Sequence, residues 1–66
     1  MPVARHSELT ASSKKSFEDA VRIGVTRAAK TLDNITGAWI KDQSVVVKNG
    51  KVTEYRVNMK VTFVLK

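Results

Sequence analysis

The chain has 66 residues, no cysteine and one histidine, His6. A domain this short buries only about 60% of the surface its unfolded chain exposes, and the sequence offers neither a disulfide nor a Cys/His zinc cluster to reinforce a marginal core. A net charge of +6 suits phosphates or acidic surfaces as partners, but the cations are spread along the chain with Glu18, Asp19, Asp33 and Glu54 interleaved, which reads as a solvated basic surface rather than a nucleic-acid face.

From Met1 to Thr10, Arg5, His6 and Glu8 interrupt the apolar residues, so neither a signal peptide nor a membrane span is expected and the cytoplasm is the default location. Val3, Arg5, Ser7 and Leu9 alternate with Ala4, His6, Glu8 and Thr10, predicting a short first strand. The hydroxyl-rich segment from Thr10 to Ser16 breaks that alternation. Ser16 followed by Asp19 resembles a capping box, with the carboxylates of Glu18 and Asp19 offsetting the positive end of a helix dipole. A helix is therefore predicted from about Phe17 to Asp33. Its apolar stripe is Phe17, Ala20, Val21, Gly24, Val25, Ala28, Leu32 and Ile35, at spacings of three and four.

From Gly37 the period changes to two. Ala38 to Lys48 and Val52 to Leu65 read as strands, joined at Asn49-Gly50 by a two-residue type I′ turn that needs positive φ at both positions. That turn sets an expected register with Lys48 opposite Lys51, Val46 opposite Thr53, Ser44 opposite Tyr55, Asp42 opposite Val57 and Ile40 opposite Met59. Tyr55, Val57, Met59, Val61, Phe63 and Leu65 then share the helix-facing side with Ile40 and Val46. Trp39, Lys41, Gln43, Val45, Val47, Glu54, Arg56, Asn58, Lys60 and Thr62 fall on the other. A tryptophan there serves either as an anchor between subunits or as a stacking surface for an aromatic ligand. A hairpin with one helix has more apolar surface than it covers alone, so copies of the chain are expected to cover each other, with any ligand site between them.

The order strand, helix, long hairpin, with a hydroxyl-rich turn before Ser16-Phe17-Glu18-Asp19-Ala20, resembles dodecins. So do the run Arg27-Ala28-Ala29-Lys30-Thr31-Leu32-Asp33-Asn34 and the ending from Tyr55 through Arg56, Val57, Asn58 and Met59 to Leu65. The resemblance covers nearly the whole chain. It implies a hollow homododecamer of tetrahedral symmetry in which a bent antiparallel sheet wraps one helix, and in many members a flavin bound between subunits. Flavin-binding dodecins carry a tryptophan shortly after the helix, which stacks on the isoalloxazine ring, and a glutamine in the last strand that hydrogen-bonds the ring edge. The matching positions here hold Gly37 and Arg56. Gly37 offers no stacking surface, and Arg56 cannot accept a hydrogen bond as glutamine does. Trp39 lies two residues further along, roughly 7 Å away in an extended strand. Lack of the tryptophan, with arginine after the tyrosine, resembles a branch described as calcium dodecins.

Asp42 matches an acidic position near the ligand in flavin-binding members, while its expected place on the helix-facing side reads as a carboxylate reaching solvent or a neighbouring subunit. A calcium site takes about six to eight oxygens, more than the dispersed Glu18, Asp19 and Asp42 supply within one chain. Lys14 and Lys15 near the helix start suit a phosphate, but Glu18 and Asp19 oppose an anion there. His6 has no Ser or Cys pattern beside it, so no enzyme is expected. The sequence is thus taken as one α+β domain over 1–66, a three-stranded antiparallel sheet (β-α-β-β) wrapped around one helix. Its expected function is a homododecamer storing a small ligand between subunits. Flavin (riboflavin, FMN or FAD) is the leading cofactor class, Gly37, Trp39, Asp42 and Arg56 are the candidate ligand-binding residues, and no metal ligand is assigned. The alternatives are a shell holding a metal ion or phosphate-bearing cofactor, a purely structural shell and, last, a basic nucleic-acid module.

Overall fold

A computed structural model describes residues 3–65. Strand β1 (Val3–Ser13), helix α1 (Phe17–Ala28), strand β2 (Ile35–Lys48) and strand β3 (Lys51–Leu65) follow one another in the chain. The sheet is antiparallel throughout, in the order β1-β3-β2. Asn49 and Gly50 take φ of 53° and 75°, as the hairpin turn requires.

The predicted stripe is the face that α1 buries. Ala20, Gly24 and Ala28 are buried, and Phe17, Val21, Val25, Leu32 and Ile35 pack around the core formed with Ala11, Val57, Met59 and Val61. Val57, Met59 and Val61 have no exposed surface. Gly24 costs roughly 1 kcal/mol of helix propensity relative to alanine, and close packing explains its presence. A Cβ there would lie 2.8 Å from Met59 Cε and 3.0 Å from both Ala11 Cβ and Leu9 Cδ1. Phe17 meets Tyr55 edge to face, with ring centroids 5.1 Å apart, and closes the core at the helix start.

Four expectations need correction. The first strand runs on to Ser13, because the hydroxyl-rich residues up to Ser13 pair with Asn58 to Tyr55 of β3. Ser16 Oγ does accept the Asp19 amide at 3.0 Å, but the Asp19 carboxylate accepts from Ser13 Oγ at 2.6 Å instead of completing the capping box. The helix ends at Ala28 rather than Asp33. Leu32 and Ile35 still reach the core because a tight turn, with the Leu32 amide on the Ala28 carbonyl at 2.8 Å, leads into left-handed Asn34, φ 61°, and straight into β2.

The fourth correction is to the hairpin register. Lys48 opposite Lys51 and Ile40 opposite Met59 are as expected, but the pairing shifts between Val46 and Val47 and again between Ile40 and Asp42. Val46 therefore faces Glu54, Ser44 faces Arg56 and Asp42 faces Asn58. Val45 and Gln43 take the places opposite Tyr55 and Val57. A bulge inserts one residue and exchanges the two faces of the strand beyond it, so Asp42, Ser44 and Val46 lie on the side away from α1. A third shift falls between Ile35 and Gly37, whereas β1 pairs with β3 without interruption.

Candidate functional site

Because Val57, Met59 and Val61 point into the core, the alternate residues of β3 line the open face, each flanked by partners from both neighbouring strands. Successive rows across the sheet are His6, Thr62 and Gly37; Glu8, Lys60 and Trp39; Thr10, Asn58 and Asp42; and Ser12, Arg56 and Ser44. All four residues picked out from the sequence, Gly37, Trp39, Asp42 and Arg56, lie on this face and are exposed. For Asp42 this reverses the expected helix-facing position. Trp39 is 75% exposed.

The rows are tied together by side chains. Thr10 Oγ1 donates to Asn58 Oδ1 at 2.6 Å, and Asn58 Nδ2 donates to Asp42 Oδ1 at 2.6 Å. Lys41 Nζ stands 3.0 Å and Lys60 Nζ 3.9 Å from the same Glu8 oxygen. Arg56 Nε donates to Glu54 at 3.1 Å, and His6 Nδ1 lies 3.1 Å from Thr62 Oγ1. A hollow of about 210 Å³ opens over Glu8, Thr10, Lys41, Asp42 and Asn58. Gly37 stands in open space: a Cβ added there would meet no atom within 4 Å, and its φ lies outside the left-handed region that Gly50 occupies.

Sequence reasoning missed Asn58 as the partner of Asp42 and Thr10 as the partner of Asn58. Asn58 was placed on the open face, but the partner across the strand emerges only once the bulges are known. Among the described residues no three His, Cys, Asp or Glu side chains gather to hold a metal ion. Nor is any described helix long and apolar enough to cross a membrane.

The hydrogen bond and charge of the Lys41 ammonium, helped by the charge of Lys60, hold the Glu8 carboxyl below the ordinary glutamate range. A depressed folded-state value contributes stability above the unfolded value, and that contribution disappears as the pH falls through the folded one. Glu8 is exposed, so the contribution is small. Lys41→Ala is expected to return the Glu8 titration toward that of a free glutamate, read by carboxyl-carbon NMR. An unmoved titration would remove Lys41 as the cause.

A family model described as Dodecin matches residues 3–66. The chain belongs to the dodecin family. It is similar to the dodecin from Streptomyces davaonensis, with 26% identity, coverage of 98% of this chain and 96% of that one, and a TM-score of 0.93. The protein tt0972 from Thermus thermophilus is 29% identical, with 100% and 97% coverage and a TM-score of 0.94. The calcium dodecin from Mycobacterium tuberculosis, described as a calcium-chelating antigen, is 29% identical, with 97% and 91% coverage and a TM-score of 0.83. No curated protein matches the chain.

Proposed function

We propose that the chain assembles into the homododecameric shell of its family and stores a planar aromatic ligand of the flavin class between subunits, on the sheet face away from α1. The observation that carries this reading is Trp39, 75% exposed on a sheet face whose other side holds the buried core. Self-association is supported by what one subunit leaves bare. Val45, Val47 and Val52 are 40%, 57% and 49% exposed on a hairpin arm that extends past the end of β1, and Ile23 is 45% exposed on α1. Ile23 borders a groove of about 480 Å³ between α1 and β1. Side chains tied to one another by ion pairs and hydrogen bonds fit storage rather than catalysis, in the cytoplasm.

Light scattering coupled to gel filtration is expected to report about twelve chains in a closed assembly, and a stable folded monomer at micromolar concentration would sink the proposal. Titration of the assembled protein with riboflavin and FMN tests the ligand. Binding weaker than in tryptophan-bearing relatives is expected, because Gly37 and Arg56 replace the stacking and ring-edge residues. A shell that holds calcium is the second reading, favoured by the likeness to the calcium dodecin. It would draw carboxylates such as Asp42 from several subunits, since calcium takes about six to eight oxygens. Calorimetric titration with calcium chloride separates the two.

A further inference from the structure

We infer that Asn49, at the tip of the hairpin arm, is a self-modification site: attack of the Gly50 backbone nitrogen on its side chain expels ammonia and converts residue 49 into aspartate and isoaspartate. This chemistry is independent of any ligand on the sheet.

Of the three asparagines, only Asn49 precedes a glycine. Both turn residues are exposed, and a Cβ added at Gly50 would meet nothing within 4 Å, so the path to its nitrogen is open. Among the described residues neither the Gly50 N–H nor the Asn49 carboxamide has a hydrogen-bond partner, which leaves nucleophile and electrophile free. The other two asparagines are held. Asn34 Nδ2 donates to the Val64 carbonyl at 3.3 Å, and β-branched Ile35 follows it. Asn58 is engaged at both amide atoms, by Thr10 and Asp42, each at 2.6 Å, and buried Met59 follows it.

Ring closure also needs the turn to flex, and the tip is built to do so. β1 ends opposite Tyr55, so the arm from Lys51 to Glu54 has only β2 beside it, and a two-stranded ribbon is marginally stable alone. Val47 and Val52, 57% and 49% exposed, add little packing. The pair that closes the turn is Lys48 opposite Lys51, like charges that repel across the strands. Neither forms an ion pair among the described residues. The tip is therefore a low-stability end of the molecule that opens locally.

In the open turn a base from solvent takes the Gly50 amide proton, and the nitrogen bonds to Asn49 Cγ. The Cγ–Nδ2 bond breaks and ammonia leaves with a proton from water, closing a five-membered succinimide. Water opens that ring at Cγ to give aspartate, or at the main-chain carbonyl to give isoaspartate. Either product lowers the net charge of +6 by one and sets a carboxylate between the two lysines. Aspartate before glycine suits the same type I′ turn. Isoaspartate lengthens the backbone by a methylene and does not.

The test stores assembled wild type at neutral and mildly alkaline pH and follows mass. Cleavage after aromatic residues isolates Asn49 in residues 40–55, apart from Asn34 and Asn58, and electron-transfer fragmentation tells isoaspartate from aspartate. Asn49 is expected to lose its amide at least roughly tenfold faster than the other two, a difference that local opening of the tip supplies. Loss should be faster at the higher pH. Lys51→Glu, which turns repulsion across the turn into attraction, should slow it roughly two- to fivefold. Added salt, which screens the two ammonium groups, should also slow the wild type, so the test does not depend on that variant assembling. Asn49→Gly, whose Gly-Gly still suits the turn, should gain no mass. An intact Asn49, equal loss at Asn34 or Asn58, or a rate indifferent to both Lys51→Glu and salt would overturn the inference.

Discussion

Replacing Met59 by alanine is expected to cost about 2–5 kcal/mol of stability, against a total of roughly 5–15 kcal/mol for a domain of ordinary stability. Met59 has no exposed surface, and its methyl group fills the gap over Gly24, where even a Cβ would be 2.8 Å from it. The same region holds Leu9 and Ala11 from β1, so the cavity would open where helix and two strands meet. Collapse around it is limited because α1 already approaches the sheet as closely as a glycine permits. Met59→Leu, nearly equal in volume, should lose less than about 1.5 kcal/mol. Urea unfolding at one fixed protein concentration measures both, since the stability of an oligomer depends on concentration. Equal midpoints for the two variants would show that Met59 does not hold the core.

The double substitution Gly37→Trp with Arg56→Gln is expected to raise riboflavin affinity by roughly one to two decades, the worth of about 1–3 kcal/mol for a ring stacked on an aromatic side chain. Both positions are exposed on the open face, and the glutamine replaces a cation with an amide that accepts as well as donates. The backbone at Gly37 tolerates the change: it lies outside the left-handed region and has nothing within 4 Å of an added Cβ. Assembly is checked first by gel filtration, then binding by quenching of flavin emission. An assembled double mutant that binds no better than wild type would place the ligand elsewhere.

The core was largely legible because helical spacing from Phe17 to Ile35 and alternation from Tyr55 to Leu65 both respond to one burial pattern. Even the turn beyond Ala28 obeyed the spacing, since Leu32 and Ile35 reach the core from irregular backbone as readily as from another helical turn. The bulges were hidden for a physical reason. Val45, Val46 and Val47 are chemically alike, so sliding the strand by one residue there changes no hydrophobic count, and nothing local favours one register. Asp42 inherited the error, whereas Gly37 and Trp39, beyond the second shift, were assigned the correct face. The contacts of Asn58 needed knowledge of a neighbour 48 residues away in sequence, Thr10, which no local pattern supplies.

The unequal edges of the sheet bear on what happens when these chains are crowded, as during synthesis. An outer strand offers unpaired backbone groups to any other chain, and irregular spacing spoils that offer. β2, which carries an extra residue at Thr36 and at Lys41, is a poor template, while β1 is a regular one. Of the two outer strands, β1 is therefore the border more open to pairing with another chain, and β2 the one guarded against it.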